Sequence, residues 1–295
     1  MAWAAALAGG GGPACAGPAA PAADARLATV IPAIESQIEQ SGADVAVAFR
    51  TLDGRSQWLL RADEPFHAAS TMKLAVLIEL YHQVRLHKAR LDEALVVRNE
   101  FKSLVDGSRF SLSAEDDSEK QLYQAVGQRR TLAQLNELMI TVSSNLAANL
   151  LIDRLGIANI RASMHALGAD EMNVRRGLED SKAFQQGLNN TTTANALLMI
   201  MDAIARGHAV DAAASRQMVE VLARQTDNDE IPAGLPAGLR IAHKTGQITK
   251  IQHDAAIVYA RRPFVLVILT RGIDDPSRSA ALMALIAHQL YGVSQ

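Results

Sequence analysis

The sequence predicts an α+β protein in which a sheet flanked by helices lies beside an all-helical domain. Three observations support this class. Apolar and smaller residues alternate near the start of the chain, the middle carries long helical patterns, and strand patterns return before a last helix. We therefore expect a discontinuous α/β domain from residues 26–68 and 224–295 and an all-helical domain from residues 69–223. The active site is expected in the cleft between them.

The first predicted elements are a helix and a β-hairpin. The apolar residues of segment 26–40 fall on one helical stripe, which ends before Ser41-Gly42. Residues 45–49 then alternate as in a strand, and the pattern breaks at Asp53-Gly54. Residues 57–60 are predicted to form the partner strand of the hairpin.

The middle of the chain is predicted to be almost wholly helical. Helical patterns cover residues 71–87, 131–139, 144–155, 193–205 and 211–222. Residues 101–119 are polar and contain glycine, which is typical of a surface loop, with a lining of the cleft mouth as the alternative.

The end of the chain returns to strands and closes with a helix. Strand patterns cover residues 239–243, 251–260 and 264–270. Asp275 as N-cap and Pro276 at the first helical position then predict a last helix that ends at Gly292. No apolar run is long enough to span a bilayer, so no membrane span is expected.

Composition excludes several classes of protein. The chain has 295 residues, of which 49% are hydrophobic and 20% charged, which is typical of a globular protein and not of a disordered one. The 29 Lys and Arg residues stand against 31 Asp and Glu residues, so no basic excess favours a nucleic acid as partner. One cysteine excludes a disulfide scaffold. Because the histidines lack metal-ligand spacing, no metal or cofactor is expected.

Residues 1–25 are interpreted as a leader or a flexible tether. They are mostly Ala, Gly and Pro, and the run Gly9–Gly12 followed by Pro13 is incompatible with a packed helix. The basic segment of a secretory signal is missing, although small residues near position 20 offer cleavage points. A true start further upstream is an alternative. Cys15 is interpreted as an incidental cysteine, with lipid attachment as the alternative.

The first motif that carries chemistry is Ser70-x-x-Lys73. Helical spacing of three places the Ser70 hydroxyl and the Lys73 amine on one face, where a neutral amine can accept the hydroxyl proton. This step requires a lowered pKa for Lys73, which burial near another cation would provide. A capping serine followed by a surface lysine gives the same pattern, so the motif alone is a weak signal.

Two further motifs follow in the chain. Ser143-Ser144-Asn145 lies between two helical patterns, where a hydroxyl can pass a proton and an amide can orient a substrate; an ordinary helix N-cap is the alternative. Lys244-Thr245-Gly246 comes at the end of a predicted strand. A lysine and a hydroxyl there favour a carboxylate site, and the glycine allows a ligand to approach the backbone. A plain strand-to-turn junction is the alternative.

Together the three motifs resemble those of the active-site serine β-lactamases and penicillin-binding proteins, and class A is the most similar group. The resemblance extends to residues 145–151 and 190–193 and covers nearly the whole chain after residue 26. It implies a β-lactamase/transpeptidase-like fold, with an antiparallel sheet flanked by helices and an all-helical domain.

The resemblance also implies a role for each matching residue. Ser70 would be the nucleophile, Lys73 the amine that helps to deprotonate it, and Ser143 the relay to the β-lactam nitrogen. Asn145 would hold the amide side chain of the substrate. Lys244 and Thr245 would bind its carboxylate beside Gly246, and the N–H groups of Ser70 and Gln247 would form the oxyanion hole.

Three positions depart from the pattern of the family. Glu179 is the best candidate for the base that activates the deacylating water, but Ala183 stands where a partner asparagine is expected. The alternative is a structural carboxylate paired with Arg175 or Arg176. Ser144 replaces an aspartate that many relatives carry. His253 lies where relatives place a further carboxylate-binding residue, and it would serve when protonated.

The leading hypothesis is a class A-like serine β-lactamase that acts through a Ser70 acyl-enzyme. One alternative is a penicillin-binding or peptidase/esterase-like serine hydrolase with slow deacylation, and another is a non-catalytic binding domain of the same fold. The expected partner is a small-molecule β-lactam or a peptidoglycan-stem-like compound, with no nucleic acid. We expect a monomer that is periplasmic or secreted, because such substrates occur outside the cytoplasm.

Overall fold

The structure is a computed structural model that describes residues 25–295. The predicted leader lies outside the described residues except for Ala25, which begins the first helix. The interpretation of Cys15 therefore stays a prediction.

A five-stranded antiparallel sheet forms the centre of the α/β part. Its strands are β1 (Asp44–Thr51), β2 (Gln57–Leu60), β9 (Ile241–Ile248), β10 (Ile251–Val258) and β11 (Phe264–Arg271). They follow the order β2-β1-β11-β10-β9, so the two ends of the chain build one sheet and β9 lies at its edge. The predicted α+β class is confirmed, with an antiparallel sheet.

Alternation along β1 explains how the sheet carries a core on each face. Val45, Val47 and Phe49 pack on one face with helices α1 (Ala25–Ser41) and α10 (Pro276–Val293). Ala46 and Ala48 lie on the opposite face, in the core that extends through the other helices. Side chains alternate because successive Cβ atoms of a strand point to opposite faces.

The other helices lie between β2 and β9 in the sequence. They are α2 (Lys73–Arg85), α3 (Gln121–Gln124), α4 (Leu132–Thr141), α5 (Asn145–Leu155), α6 (Ile157–Ala166), α7 (Ser181–Gln185), α8 (Ala194–Ala205) and α9 (Ala212–Leu222). Helix α8 packs on the sheet. Its buried residues Leu197, Ile200 and Met201 belong to the same core as Ala46. The exact domain boundaries stay a prediction.

The prediction that the middle of the chain is almost wholly helical is wrong in detail. Among residues 25–295, short strands also occur and form three pairs. In each pair the backbone N–H and C=O groups of one strand are bonded to those of the other strand. They are β3 (Phe66–His67) with β8 (Thr191–Thr192), β4 (Ala94–Val96) with β7 (Arg129–Thr131), and β5 (Phe101–Lys102) with β6 (Arg109–Phe110).

Two predicted ends are also corrected. The strand predicted to end at His243 continues to Ile248, because its residues pair with β10 throughout. The last helix continues past Gly292 to Val293, and its predicted start is confirmed, since Asp275 caps the backbone N–H of Ser277. No helix within residues 25–295 combines the length and the apolar character that crossing a bilayer requires.

Helix α2 passes through the middle of the helical part. Ten of its 13 residues are buried, including every position from Lys73 to Tyr81. A helix that is apolar on all sides is stable only when it is surrounded by protein. The N-terminal end of α2 is therefore held rigidly, and this end carries the first predicted motif.

Candidate functional site

Ser70 and Lys73 lie on two consecutive helical segments. Ser70 belongs to a single turn of 3-10 helix, Ala69–Met72, and Lys73 begins α2 directly after it. Lys73 Nζ lies 3.1 Å from Ser70 Oγ, which is the proximity that the three-residue spacing predicts. Ser70 remains half-buried, whereas Lys73 is fully buried. The hydroxyl is therefore open to a ligand while the amine is not.

The contacts of Lys73 indicate how its amine can accept a proton. Nζ donates to the Ser143 carbonyl at 2.6 Å and to Asn145 Oδ1 at 2.8 Å. Two N–H groups of a neutral amine satisfy these two oxygens, and its lone pair is left for a hydroxyl proton such as that of Ser70. Burial, and then the charge of Lys244, lowers the pKa of Lys73 well below its usual value. A neutral amine is therefore accessible.

The second motif lies at the start of α5. The Ser144 side chain caps this helix by accepting the N–H of Ala147 at 3.2 Å, so the N-cap reading holds for Ser144. Ser143 precedes the cap, and its hydroxyl lies 3.2 Å from Lys73 Nζ and 3.0 Å from Lys244 Nζ. Ser143 Oγ therefore connects the amines of the first and third motifs.

The third motif lies on the edge strand β9. A Cβ on Gly246 would lie 3.0 Å from the backbone nitrogens of Ser70 and Thr71, which is tighter than most contacts of a Cβ atom, so glycine favours this close approach. Gln247 is the next residue of the same strand, and it is exposed. Lys244 is fully buried, and burial lowers its pKa to about 8. Thr245 Oγ1 donates to Asp227 Oδ2 at 3.0 Å.

Glu179 faces the same group of side chains. Its Oε1 accepts from Asn145 Nδ2 at 2.9 Å, and its Oε2 accepts the backbone N–H of Ser113 at 3.1 Å. The guanidinium of Arg176 instead contacts backbone carbonyls of its own loop and the side chain of Asn189. The arginine pairing that the sequence left open for Glu179 is absent from the ion pairs of residues 25–295.

Backbone strain concentrates at these positions. Six residues other than glycine have a positive φ angle within the described chain, and three of them are Ala69 (45°), Ser143 (61°) and Glu179 (62°). Ala69 directly precedes Ser70. Side-chain-bearing residues adopt this region rarely, and such residues cluster at functional sites because the surrounding packing holds them there.

His253 does not join the group, and the expectation that it binds a substrate carboxylate is corrected. The side chain is fully buried, and its ring nitrogens contact the Gln252 and His67 carbonyls at 2.7 and 2.8 Å. Burial lowers the pKa of His253 to about 4. A neutral imidazole supplies no cation to a ligand.

The sequence analysis missed Asp117, which lies in the segment interpreted as a surface loop. Its carboxylate is buried, and Oδ2 accepts the N–H groups of Asn145 and Leu146 at 2.9 Å each. The same oxygen accepts the hydroxyls of Ser144 and Tyr123. A carboxylate at a helix N-terminus satisfies otherwise unpaired N–H groups and interacts favourably with the helix dipole. Asp117 therefore supplies a buried carboxylate at the motif where Ser144 stands in place of the aspartate.

No signal in the sequence separates Asp117 from its neighbour Asp116, which is exposed. Of the two interpretations of residues 101–119, the lining of the cleft mouth agrees better with the structure than a plain surface loop does, since Ser113 and Asp117 both contact the site. Within residues 25–295, no group of three or more His, Cys, Asp or Glu side chains is arranged to hold a metal ion.

Comparisons with known proteins agree with the motifs. The sequence profile described as the Beta-lactamase enzyme family matches residues 26–293. A Beta-lactamase of Citrobacter koseri is 28% identical over 235 residues, which are 78% of this chain and 76% of that protein.

Solved structures show the same fold. An ancestral class A β-lactamase (GNCA) superposes with a TM-score of 0.76 and 26% identity, over 88% of this chain and 98% of the other. The structure of PBP-A superposes with a TM-score of 0.74 and 27% identity, over 88% and 95% of the two chains. The predicted fold is therefore confirmed.

Proposed function

Because the chain belongs to the Beta-lactamase enzyme family, we propose that it is a class A-like serine β-lactamase that hydrolyses the β-lactam amide through an acyl-enzyme on Ser70. The observation that carries this proposal is the position of Lys73 Nζ, which contacts Ser70 Oγ, Ser143 Oγ and Asn145 Oδ1 at once. A binding domain of this fold has no need of a buried amine whose pKa is lowered beside an accessible hydroxyl.

Acylation begins with the neutral form of Lys73. The amine accepts the Ser70 proton, and Ser70 Oγ forms a bond to the carbonyl carbon of the β-lactam. The N–H groups of Ser70 and Gln247 stabilise the oxyanion, and Gly246 supports this arrangement because it lies against the Ser70 backbone. The C–N bond then breaks. Ser143 passes its proton to the leaving nitrogen and receives the Ser70 proton from Lys73, which becomes neutral again; the contact of Ser143 with both lysines supports this relay.

Substrate binding uses the side chains around Ser70. Asn145 holds the amide side chain of the substrate, although its own amide is also bonded to Lys73 and Glu179. Lys244 and Thr245 bind the carboxylate of the substrate. Lys244 carries its charge below a pKa of about 8, so it is cationic through most of the neutral range.

Deacylation is assigned to Glu179. Its carboxylate takes a proton from a water molecule, and the water oxygen attacks the acyl carbon. The bond to Ser70 Oγ then breaks as Glu179 returns this proton to Ser70 by way of Lys73. The bond from Asn145 Nδ2 and the half-buried position of Glu179 beside Lys73 support this role. The product carboxylic acid is then released, and the free enzyme is regenerated.

Two observations favour a second candidate, a penicillin-binding or peptidase/esterase-like hydrolase that deacylates slowly. Ala183, the residue at the position of the expected asparagine, is fully buried in α7 and has no polar side chain to hold a water. Both oxygens of Glu179 also already accept hydrogen bonds. The acyl-enzyme would then form at the same Ser70 but persist.

The remaining features follow from the substrate. β-Lactams and peptidoglycan stems occur outside the cytoplasm, so we assign a periplasmic or secreted location to the enzyme. We propose that it acts as a monomer without cofactor, and that the cleft between residues 69–223 and the sheet holds the substrate. Lys244 supplies the positive charge at this cleft, because it is cationic below its pKa of about 8.

A chromogenic cephalosporin with intact-mass spectrometry tests the proposal. Steady colour release with a transient adduct supports the β-lactamase, and one stoichiometric turnover with a stable adduct supports the slow hydrolase. The Ser70→Ala variant is the control and should give neither. Absence of both colour and adduct in the unaltered protein would contradict both candidates and favour a binding domain.

A further inference from the structure

The hydroxyl of Thr245 already has an acceptor in the protein. Oγ1 donates to Asp227 Oδ2 at 3.0 Å, so the hydrogen that would bind a substrate carboxylate is used by another carboxylate. Thr245 is almost fully buried, whereas Asp227 is exposed. The carboxylate of Asp227 therefore lies at the solvent side of the hydroxyl, where a ligand would approach it.

The backbone around Asp227 is held in place. The buried side chain of Gln225 accepts the N–H groups of Thr226 and Asp227 at 3.0 and 3.1 Å. Thr226 is in turn bonded to the Thr141 carbonyl at the end of α4, through both its N–H and its hydroxyl. Since Thr141 lies two residues before Ser143, the segment that carries Asp227 is anchored to the site itself.

The charges around Lys244 are carboxylates. Burial is the main influence on its pKa, and Asp227, Asp254 and Glu230 are the charged groups that act against burial. Asp254 is paired with His243 at 3.1 Å, and burial raises the pKa of Glu230 to about 8, so this group is largely neutral at pH 7. Asp227 is therefore the exposed negative charge that lies near Lys244 at the place where a substrate would bind.

We propose that Asp227 determines specificity: it disfavours substrates that place a carboxylate at Lys244 and Thr245, and it favours substrates that place a neutral carboxamide there. This inference rests on the proposed function, because it concerns the same acylation of Ser70.

Complementarity of hydrogen bonds explains the preference. A carboxylate has only acceptors, so it must displace Asp227 from Thr245 and then remain close to a like charge. A carboxamide has one acceptor and two donors. Its oxygen accepts from Lys244 Nζ while an N–H donates to Asp227, and no second negative charge is brought close to Asp227.

Two substrates that differ at one group provide the test. The second-order rate constant for acylation of Ser70 is measured by intact mass for benzylpenicillin and for the carboxamide made from its carboxylate. We expect Asp227→Asn to raise the ratio of the two constants, carboxylate over carboxamide, by about tenfold, which corresponds to about 1.4 kcal/mol. Asp227→Ala should change the ratio in the same direction.

Asp229→Asn is the matched control. Asp229 is exposed and lies two residues from Asp227. Its substitution therefore removes one negative charge from the same segment but leaves the contact between Asp227 and Thr245 in place. Its ratio should stay within twofold of the unaltered enzyme. An unchanged ratio in Asp227→Asn, or an equal rise in Asp229→Asn, would overturn the inference and leave the proposed function intact. Absence of acylation by both substrates in the unaltered enzyme would overturn both.

Discussion

One side-chain amide joins Lys73 to Glu179. Asn145 accepts from Lys73 Nζ at 2.8 Å and donates to Glu179 Oε1 at 2.9 Å. The proposed base of acylation and the proposed base of deacylation are therefore oriented by the two ends of one amide. The backbone of Asn145 is held by Asp117, so this amide starts from a rigid helix N-terminus.

Asn145→Ala should slow both chemical steps. The variant leaves Lys73 without one of its two carbonyl-type acceptors and Glu179 without its side-chain donor, so both groups lose orientation. We expect acylation and deacylation each to slow by about 10- to 100-fold in stopped-flow and intact-mass measurements. A fall in only one of the two rate constants would contradict a shared role for the amide.

Glu179→Gln should trap the acyl-enzyme. Glutamine has one acceptor oxygen, so it can keep the contact to either Asn145 or Ser113 but not both. It cannot accept a proton from water, so deacylation should slow by at least about 100-fold. Acylation should change by less than about threefold. Intact mass checks both rates, and Glu171→Gln, which alters an exposed glutamate, is the control. Unchanged hydrolysis in Glu179→Gln would exclude Glu179 as the base.

The pH profile should show separate contributions of the two lysines. Because the neutral amine of Lys73 is the active form, kcat/KM should rise as pH increases through its lowered pKa. Lys244 acts as a cation, so kcat/KM for a substrate with a carboxylate should fall above pH 8, where Lys244 loses its proton. A carboxamide substrate should lack much of this alkaline fall. An alkaline limb near the usual lysine pKa would contradict the assignment to Lys244.

Asp117→Ala should destabilise the protein. The change leaves the backbone N–H groups of Asn145 and Leu146 and two hydroxyls without their acceptor, so the free energy of unfolding should fall by about 3 kcal/mol. Urea denaturation followed by circular dichroism provides the measurement. The neighbouring Asp116 is exposed, and Asp116→Ala should change stability by less than about 0.5 kcal/mol. Equal effects of the two variants would contradict a specific role for Asp117.

Local patterns predicted most of the secondary structure. The alternation of β1, the helical stripe of α1 and the cap at Asp275 each depend on residues close together in the chain, and all three elements form within a few residues of the prediction. The short strand β3 was missed because it pairs with β8, more than a hundred residues away. A run of two residues carries no periodicity.

For the candidate site too, some features could be predicted from the sequence and others came only from the structure. The spacing of Ser70 and Lys73 predicted their contact, since three residues in a helical segment bring two side chains to one face. The identities of Ser143, Lys244 and Glu179 followed from the resemblance, but the resemblance did not state which atoms of this chain meet. His253 was misjudged because its position in the sequence suggested a cation, whereas burial lowers its pKa to about 4 and leaves it neutral.

The sequence by itself determined the order of the elements, the three motifs and the family, because periodicity, capping and motif spacing depend on residues that are close together in the chain. Only the tertiary structure decided which groups are charged, buried or already bonded. Asp117 and Asp227 resemble any other aspartates in the sequence, yet one holds the start of α5 and the other accepts from Thr245. The physical reason is that burial and hydrogen-bond partners come from segments far apart in the chain, and these set the pKa and the availability of each group.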